Sequence, residues 1–134
     1  MNTIRFWPML LTSCCLLISC GGGAEQERTG DQPVAADRPP GVLIVNYAPD
    51  SSDTFPAPKV DSVLALEWLQ MYTNARGLNM ATRQFSFGDL VIQIGPRRAG
   101  DGGDWLYEVN GEMATAAVSE QRVARTDTLS FTFK

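Results

Sequence analysis

The sequence has no histidine and two lysines, Lys59 and Lys134. Its three cysteines, Cys14, Cys15 and Cys20, all fall within the first twenty residues. Each shortage excludes something. Without imidazole the chain lacks the commonest general base and the commonest transition-metal ligand. Without a thiol beyond Cys20 it has no disulfide framework, no Cys/His zinc site and no cysteine nucleophile in the remaining residues. Positive charge is scarce too: 11 Lys+Arg stand against 15 Asp+Glu, a net charge of −4. Clustered cations are what phosphate backbones need, so nucleic acid is not an expected partner. The one basic doublet, Arg97-Arg98, is followed closely by Asp101 and Asp104. At 44% hydrophobic residues the composition is still that of a folding chain.

What is present begins with an export-type N-terminus. Arg5 supplies a short positive region, and Phe6 to Leu11 with Leu16-Leu17-Ile18 supply an apolar stretch. The stretch falls short of the ~20 apolar residues that a spanning helix takes. It ends in Leu17-Ile18-Ser19-Cys20. This tetrapeptide resembles the lipobox of bacterial lipoproteins. The resemblance implies a signal peptide over 1–19, cleavage after Ser19, and acyl chains on Cys20. Several chains, at about 0.8 kcal/mol per buried CH₂, anchor a protein stably to a membrane. Leu11-Thr12-Ser13-Cys14 is a second match, but it leaves a very short apolar core. Gly21, which is not Asp, implies the outer membrane if the cell is Gram-negative; otherwise the expectation is a lipid-anchored protein of the cell envelope.

Residues 20–40 read as the lipidated cysteine and a flexible tether. Gly21-Gly22-Gly23 opens it, and Glu, Gln, Asp, Arg and Pro follow. Such a stretch cannot bury enough apolar surface to offset the entropy of ordering it. Residues 41–134 read as one domain. Val42 to Ala48 is strand-forming and bounded by prolines, and a short edge strand is expected near Thr54-Phe55. Asp61 or Ser62 is placed to cap a well-buried helix running to about Ala75, with Gly77 as its stop. Strands are expected over 82–87, 89–94, 105–109 and 128–133. A loop over 95–104 separates the second and third of these. Asn110-Gly111 predicts a tight hairpin whose return strand runs from Glu112 to Val118. One helix on a mixed sheet of four to five strands is an α+β design.

Several of these pieces together resemble a known domain. Val63-Leu64-Ala65-Leu66 opens the helix, and Phe87-Gly88-Asp89 leads to Ile92-Gln93-Ile94-Gly95. Trp105-Leu106-Tyr107-Glu108-Val109-Asn110-Gly111-Glu112 follows, with Thr126-Asp127-Thr128-Leu129 before the last strand. The pattern is similar to the bacterial transcobalamin-like C-terminal domain, a β-grasp module related to the smaller domain of vitamin B12 carriers. Thr126 stands where the pattern usually has Gly. The resemblance implies a β-grasp-like fold, a non-catalytic binding role and a cobalamin-like or other small ligand.

The candidate ligand-binding residues are therefore Trp105, Tyr107, Asn110 and Gly111. Trp105 and Tyr107 either present aromatic surface to a planar ligand or pack into the core against Trp68 and Leu66. The 95–104 loop either closes over a ligand or merely connects strands. No metal or cofactor site is expected: Asp101 and Asp104 fall short of the six to eight oxygens that calcium takes. Glu108 and Glu112 flank a tight turn, which is not the cleft a carboxylate pair needs. The expected function is a membrane-anchored, non-catalytic binding module. The alternative is a structural or assembly lipoprotein that docks on an envelope protein, for example by strand addition.

Overall fold

The computed structural model describes residues 38–134. The expected signal peptide, Cys20 and most of the expected tether lie outside the described residues.

The strand β1, Val42–Ala48, is apolar enough to be central, and it is. It turns at Pro49-Asp50 into the edge strand β2, Ser51–Pro56, and pairs with it antiparallel. Its other neighbour is the last strand, β10, Thr128–Phe133, which runs parallel to it with Leu43 opposite Leu129 and Val45 opposite Phe131. Beyond β10 come β7, Trp105–Val109, and the two-residue β8, Glu112–Met113. The order β2-β1-β10-β7-β8 makes a five-stranded mixed sheet. One helix, α1, Ala65–Arg76, covers it. The architecture is α+β and β-grasp-like, as the sequence pattern predicted. Parallel neighbours need a crossover, and α1 lies within it.

The helix buries Ala65, Trp68, Leu69, Tyr72 and Thr73, a stripe spaced i, i+3, i+4, i+7, i+8. With Leu43, Val45, Leu129 and Phe131 from the sheet, these side chains form the core. Burying one such side chain fully contributes about 1.5–3 kcal/mol. The stripe is narrower than expected, because Met71 points to solvent. The Trp68 indole N–H is satisfied by the Pro56 carbonyl at 3.2 Å, which ties the helix to β2. The helix stops as predicted at Gly77, whose φ of 65° is left-handed.

The helix start differs from the expectation. Residues Ser62–Leu64 form a short strand, β3, antiparallel to β9, Arg122–Ala124, and Leu64 is the N-cap. Leucine has no acceptor to offer. The first helical amides find carbonyls elsewhere in the chain: Ala65 N–H donates to Gln121 and Leu66 N–H to Val118. Glu67 reaches back to accept from Leu64 N–H at 3.2 Å. A tertiary cap has displaced the local one offered by Asp61 or Ser62.

Three further strands make a separate sheet. They are β4, Met80–Phe85, β5, Gly88–Ile94, and β6, Arg97–Arg98, in that order. β4 begins and ends two residues before the predicted 82–87 strand, and Phe87 belongs to the turn. The expected 95–104 loop is shortened from its start, because Gly95, at φ 55°, turns the chain so that Arg97 pairs with Ile94. The expected return strand 112–118 survives only as β8. After Ala114 donates to Tyr107, the chain leaves the sheet, and Ala117 and Val118 become buried. There Val118 N–H donates to Asp89 and its carbonyl accepts from Leu66, so this segment joins β5 to the helix.

Candidate functional site: an aromatic groove beside the free side of β7

Alternation along β7 turns Trp105, Tyr107 and Val109 to the core side. Trp105 retains 9% exposure. Its ring meets Tyr47 edge-on at 5.8 Å and Phe133 at 5.3 Å, and its N–H donates to the Arg97 carbonyl at 3.1 Å. Tyr107 stacks on Phe131 at 5.5 Å, and its hydroxyl donates to the Ala116 carbonyl. Burial pushes the Tyr107 phenol above its ordinary pKa, so it stays protonated. The core alternative placed these rings against Trp68 and Leu66; the aromatic rings they meet are Tyr47 and Phe133, edge-on to Trp105, and Phe131, stacked on Tyr107.

Both residues also form the wall of a groove of about 350 Å³, which places them in the core and at a surface together. Leu90 and Ile92 of β5 line it too, as do Phe85 and Leu106. The groove exists because β7 pairs with β10 along its whole length but with β8 only at Glu108 and Val109. The bonds at Asp104 and Asn110 fix the ladder's phase. They turn the Trp105 N–H and C=O and the Tyr107 N–H away from β10, to the open side of the strand.

The groove carries exposed apolar side chains. Among the described residues six large apolar side chains are exposed. Phe85 and Leu106 line the groove, and Phe87 stacks on Phe85 at 5.3 Å with ring planes 10° apart. Phe87 is 59% exposed. The pair crowns the β4–β5 turn, where Gly88 at φ 120° brings the backbone against Ala117 and Ser119. Sequence reasoning did not select Phe85 or Phe87 as ligand contacts. The Phe-Ser-Phe spacing that puts both rings on one side is its only local trace.

Asn110 and Gly111 stand apart from this groove. They form the β7–β8 turn with φ of 54° and 81°. The Asn110 amide is occupied within the chain: its Nδ2 donates to Asp127 at 3.0 Å and its Oδ1 accepts from Thr128 N–H at 2.9 Å. Asp127 in turn accepts from Ala124 N–H. Asn110 thus clasps the turn that leads into β10. Glu112 lies beside Val109, and Glu108 beside Met113, on neighbouring strands. Among the described residues no three His, Cys, Asp or Glu side chains gather as a metal site. Also among them, no helix is long and apolar enough to cross a membrane.

No family model and no curated protein matches this sequence. Solved structures do match the fold. A candidate metal-binding protein from Ruminococcus gnavus is 14% identical with a TM-score of 0.52, over 69% of this chain and 93% of that one. Haptocorrin in complex with Cbi is 10% identical with a TM-score of 0.55, over 72% of this chain. The match spans 26% of the haptocorrin chain, about a quarter of its length. At these identities the likeness is one of fold alone, the arrangement of one helix on a mixed sheet described above.

Proposed function

We propose that this chain is a lipid-anchored, non-catalytic binding module of the cell envelope, which holds a flat, largely apolar small ligand against the groove beside β7. The observation that carries this reading is the exposed Phe85 and Leu106, with Phe87 stacked on Phe85, at a groove walled by Trp105 and Tyr107. Exposed apolar patches on soluble domains mark binding surfaces. The rings offer a stacking platform, and the open-side amides of Trp105 and Tyr107 offer the few directed polar contacts that fix a ligand's orientation. The fold is shared with haptocorrin, whose structure holds Cbi. A cobinamide- or cobalamin-like ring is accordingly the first ligand to try. The lipobox-like Leu17-Ile18-Ser19-Cys20 supports the anchor, with residues 21–40 as spacer.

The test is a titration of the full-length protein with cobinamide and cobalamin, followed by their visible absorbance and by tryptophan quenching. Saturable binding that weakens at least about tenfold in Phe87→Ser supports the groove. Absence of binding by any planar ligand, with the protein folded, would remove this reading.

One feature favours strand addition to an envelope protein. β4 pairs with β5 on one side and has no partner strand on the other among the described residues. Crosslinking from position 84, between Arg83 and Phe85, to an envelope protein would select this alternative.

A further inference from the structure

We infer that the domain carries a second site, separate from the groove, which takes a small organic carboxylate at the end of the five-stranded sheet. A cavity of about 450 Å³ opens there, within the range of about 300–1,000 Å³ usual for ligand sites. Tyr47, Asp53, Tyr72, Arg76, Leu78 and Arg97 line it.

The polar groups are already arranged. Tyr72 is 1% exposed and its hydroxyl donates to Asp53 at 3.2 Å. Arg76 holds the same carboxylate through both oxygens, at 2.9 and 3.1 Å, and donates to the Thr54 carbonyl. Asp53 and Arg76 therefore cancel each other. With the Tyr72 proton committed to Asp53, the Tyr47 hydroxyl, 2.7 Å away, turns its own proton to Tyr72 or to a ligand oxygen.

Arg97 is left over. The Arg76–Asp53 bridge is the one ion pair among the described residues, so Arg97 has no carboxylate partner there. Its guanidinium lies over the Phe133 ring at 5.6 Å, and its carbonyl is fixed by the Trp105 indole. The cavity thus carries one uncompensated positive charge in a chain whose net charge is −4. A guanidinium fork and a phenol hydroxyl lining the same cavity supply donors suited to a carboxylate. Leu78, Pro96 and Ala48 supply apolar surface for a short carbon body.

Benzoate and its neutral isostere benzamide separate charge from shape. In detergent-solubilised full-length protein, benzoate is expected to move the Leu78 methyl and Arg97 Nε resonances, and to bind at least about tenfold tighter than benzamide. Arg97→Gln, at an exposed position, should abolish that preference while leaving the thermal midpoint unchanged. Equal binding of the two compounds, no shift with benzoate, retention of the preference in Arg97→Gln, or shifts centred on Trp105 and Phe87 would each overturn the assignment. The Leu78 and Arg97 resonances and the Arg97→Gln comparison report on this cavity whether or not the groove also takes a planar ring.

Discussion

The Tyr72 hydroxyl lies 2.7 Å from that of Tyr47, joining the buried face of the helix to the end of the first strand. Burial raises the pKa of both phenols, and for Tyr72 the bond to Tyr47 and the Asp53 charge add to the rise. The neutral forms are therefore the ones the fold favours. In the unfolded chain tyrosine titrates near ~10. Stability from these groups is complete below that value and falls as pH rises above it, because the unfolded chain then releases protons that the folded one retains. Urea midpoints measured across the alkaline range should fall from about pH 10 upward. In Tyr72→Phe the fall should be shallower. At neutral pH the same variant should lose about 0.5–1.5 kcal/mol for the missing hydrogen bonds.

Asn110 combines a left-handed backbone with two side-chain bonds to Asp127 and Thr128. Asn110→Ala removes both bonds and places a Cβ residue with no local hydrogen bond at φ 54°. Chemical denaturation should show a loss of about 1–3 kcal/mol. If Asn110 serves structure, affinity for a groove ligand should stay unchanged in the folded fraction. A selective loss of affinity with stability intact would reassign it to ligand contact.

Gly41 lies where any side chain would collide with the chain. A Cβ there would sit 1.8 Å from the Asp127 carbonyl oxygen. Its own N–H donates to Arg125 and its carbonyl accepts from Ala57. Gly41→Ala forces these strands apart and should cost about 1–3 kcal/mol, read as a lower urea midpoint.

Phe85 and Phe87 stack on each other in the open. Exposed substitutions away from special backbone positions stay within about 0.5 kcal/mol. Phe87→Ser should therefore leave the thermal midpoint nearly unchanged while weakening cobinamide binding. A large fall in the midpoint would show that the pair serves the fold.

Cys20→Ser removes the thiol on which the proposed acyl chains depend. Labelled palmitate should enter the wild-type protein and be absent from the variant, and the variant should leave the membrane fraction. Equal labelling of both would point to Cys14 or Cys15 and move the anchor.

Local signals located most of the elements. The apolar run Val42–Ala48, the alternation over 128–133, the Asn110-Gly111 turn and the Gly77 stop were legible because each depends on residues adjacent in sequence. The misplaced boundaries share one cause. The helix start was set by Val118 and Gln121, and β3 exists because Ser62–Leu64 meets Arg122–Ala124. The return strand ended early because Val118 was taken by Asp89 and Leu66. Partners some thirty to sixty residues away decided those boundaries.

The sequence by itself determined that this chain has no imidazole and no thiol past Cys20, and that one amphipathic helix and several alternating strands make an α+β domain. Composition excludes chemistry without any coordinates, and periodicity assigns faces. Only the tertiary structure decided that Trp105 and Tyr107 are core and groove wall together, that Asn110 is a clasp, and that Tyr47, Asp53, Tyr72, Arg76 and Arg97 share a cavity. Those relations arise from the pairing of β10 with both β1 and β7, the short reach of β8 along β7, and the packing of the helix on the sheet. Such long-range contacts are fixed by the packing of the whole chain, and no local spacing encodes them.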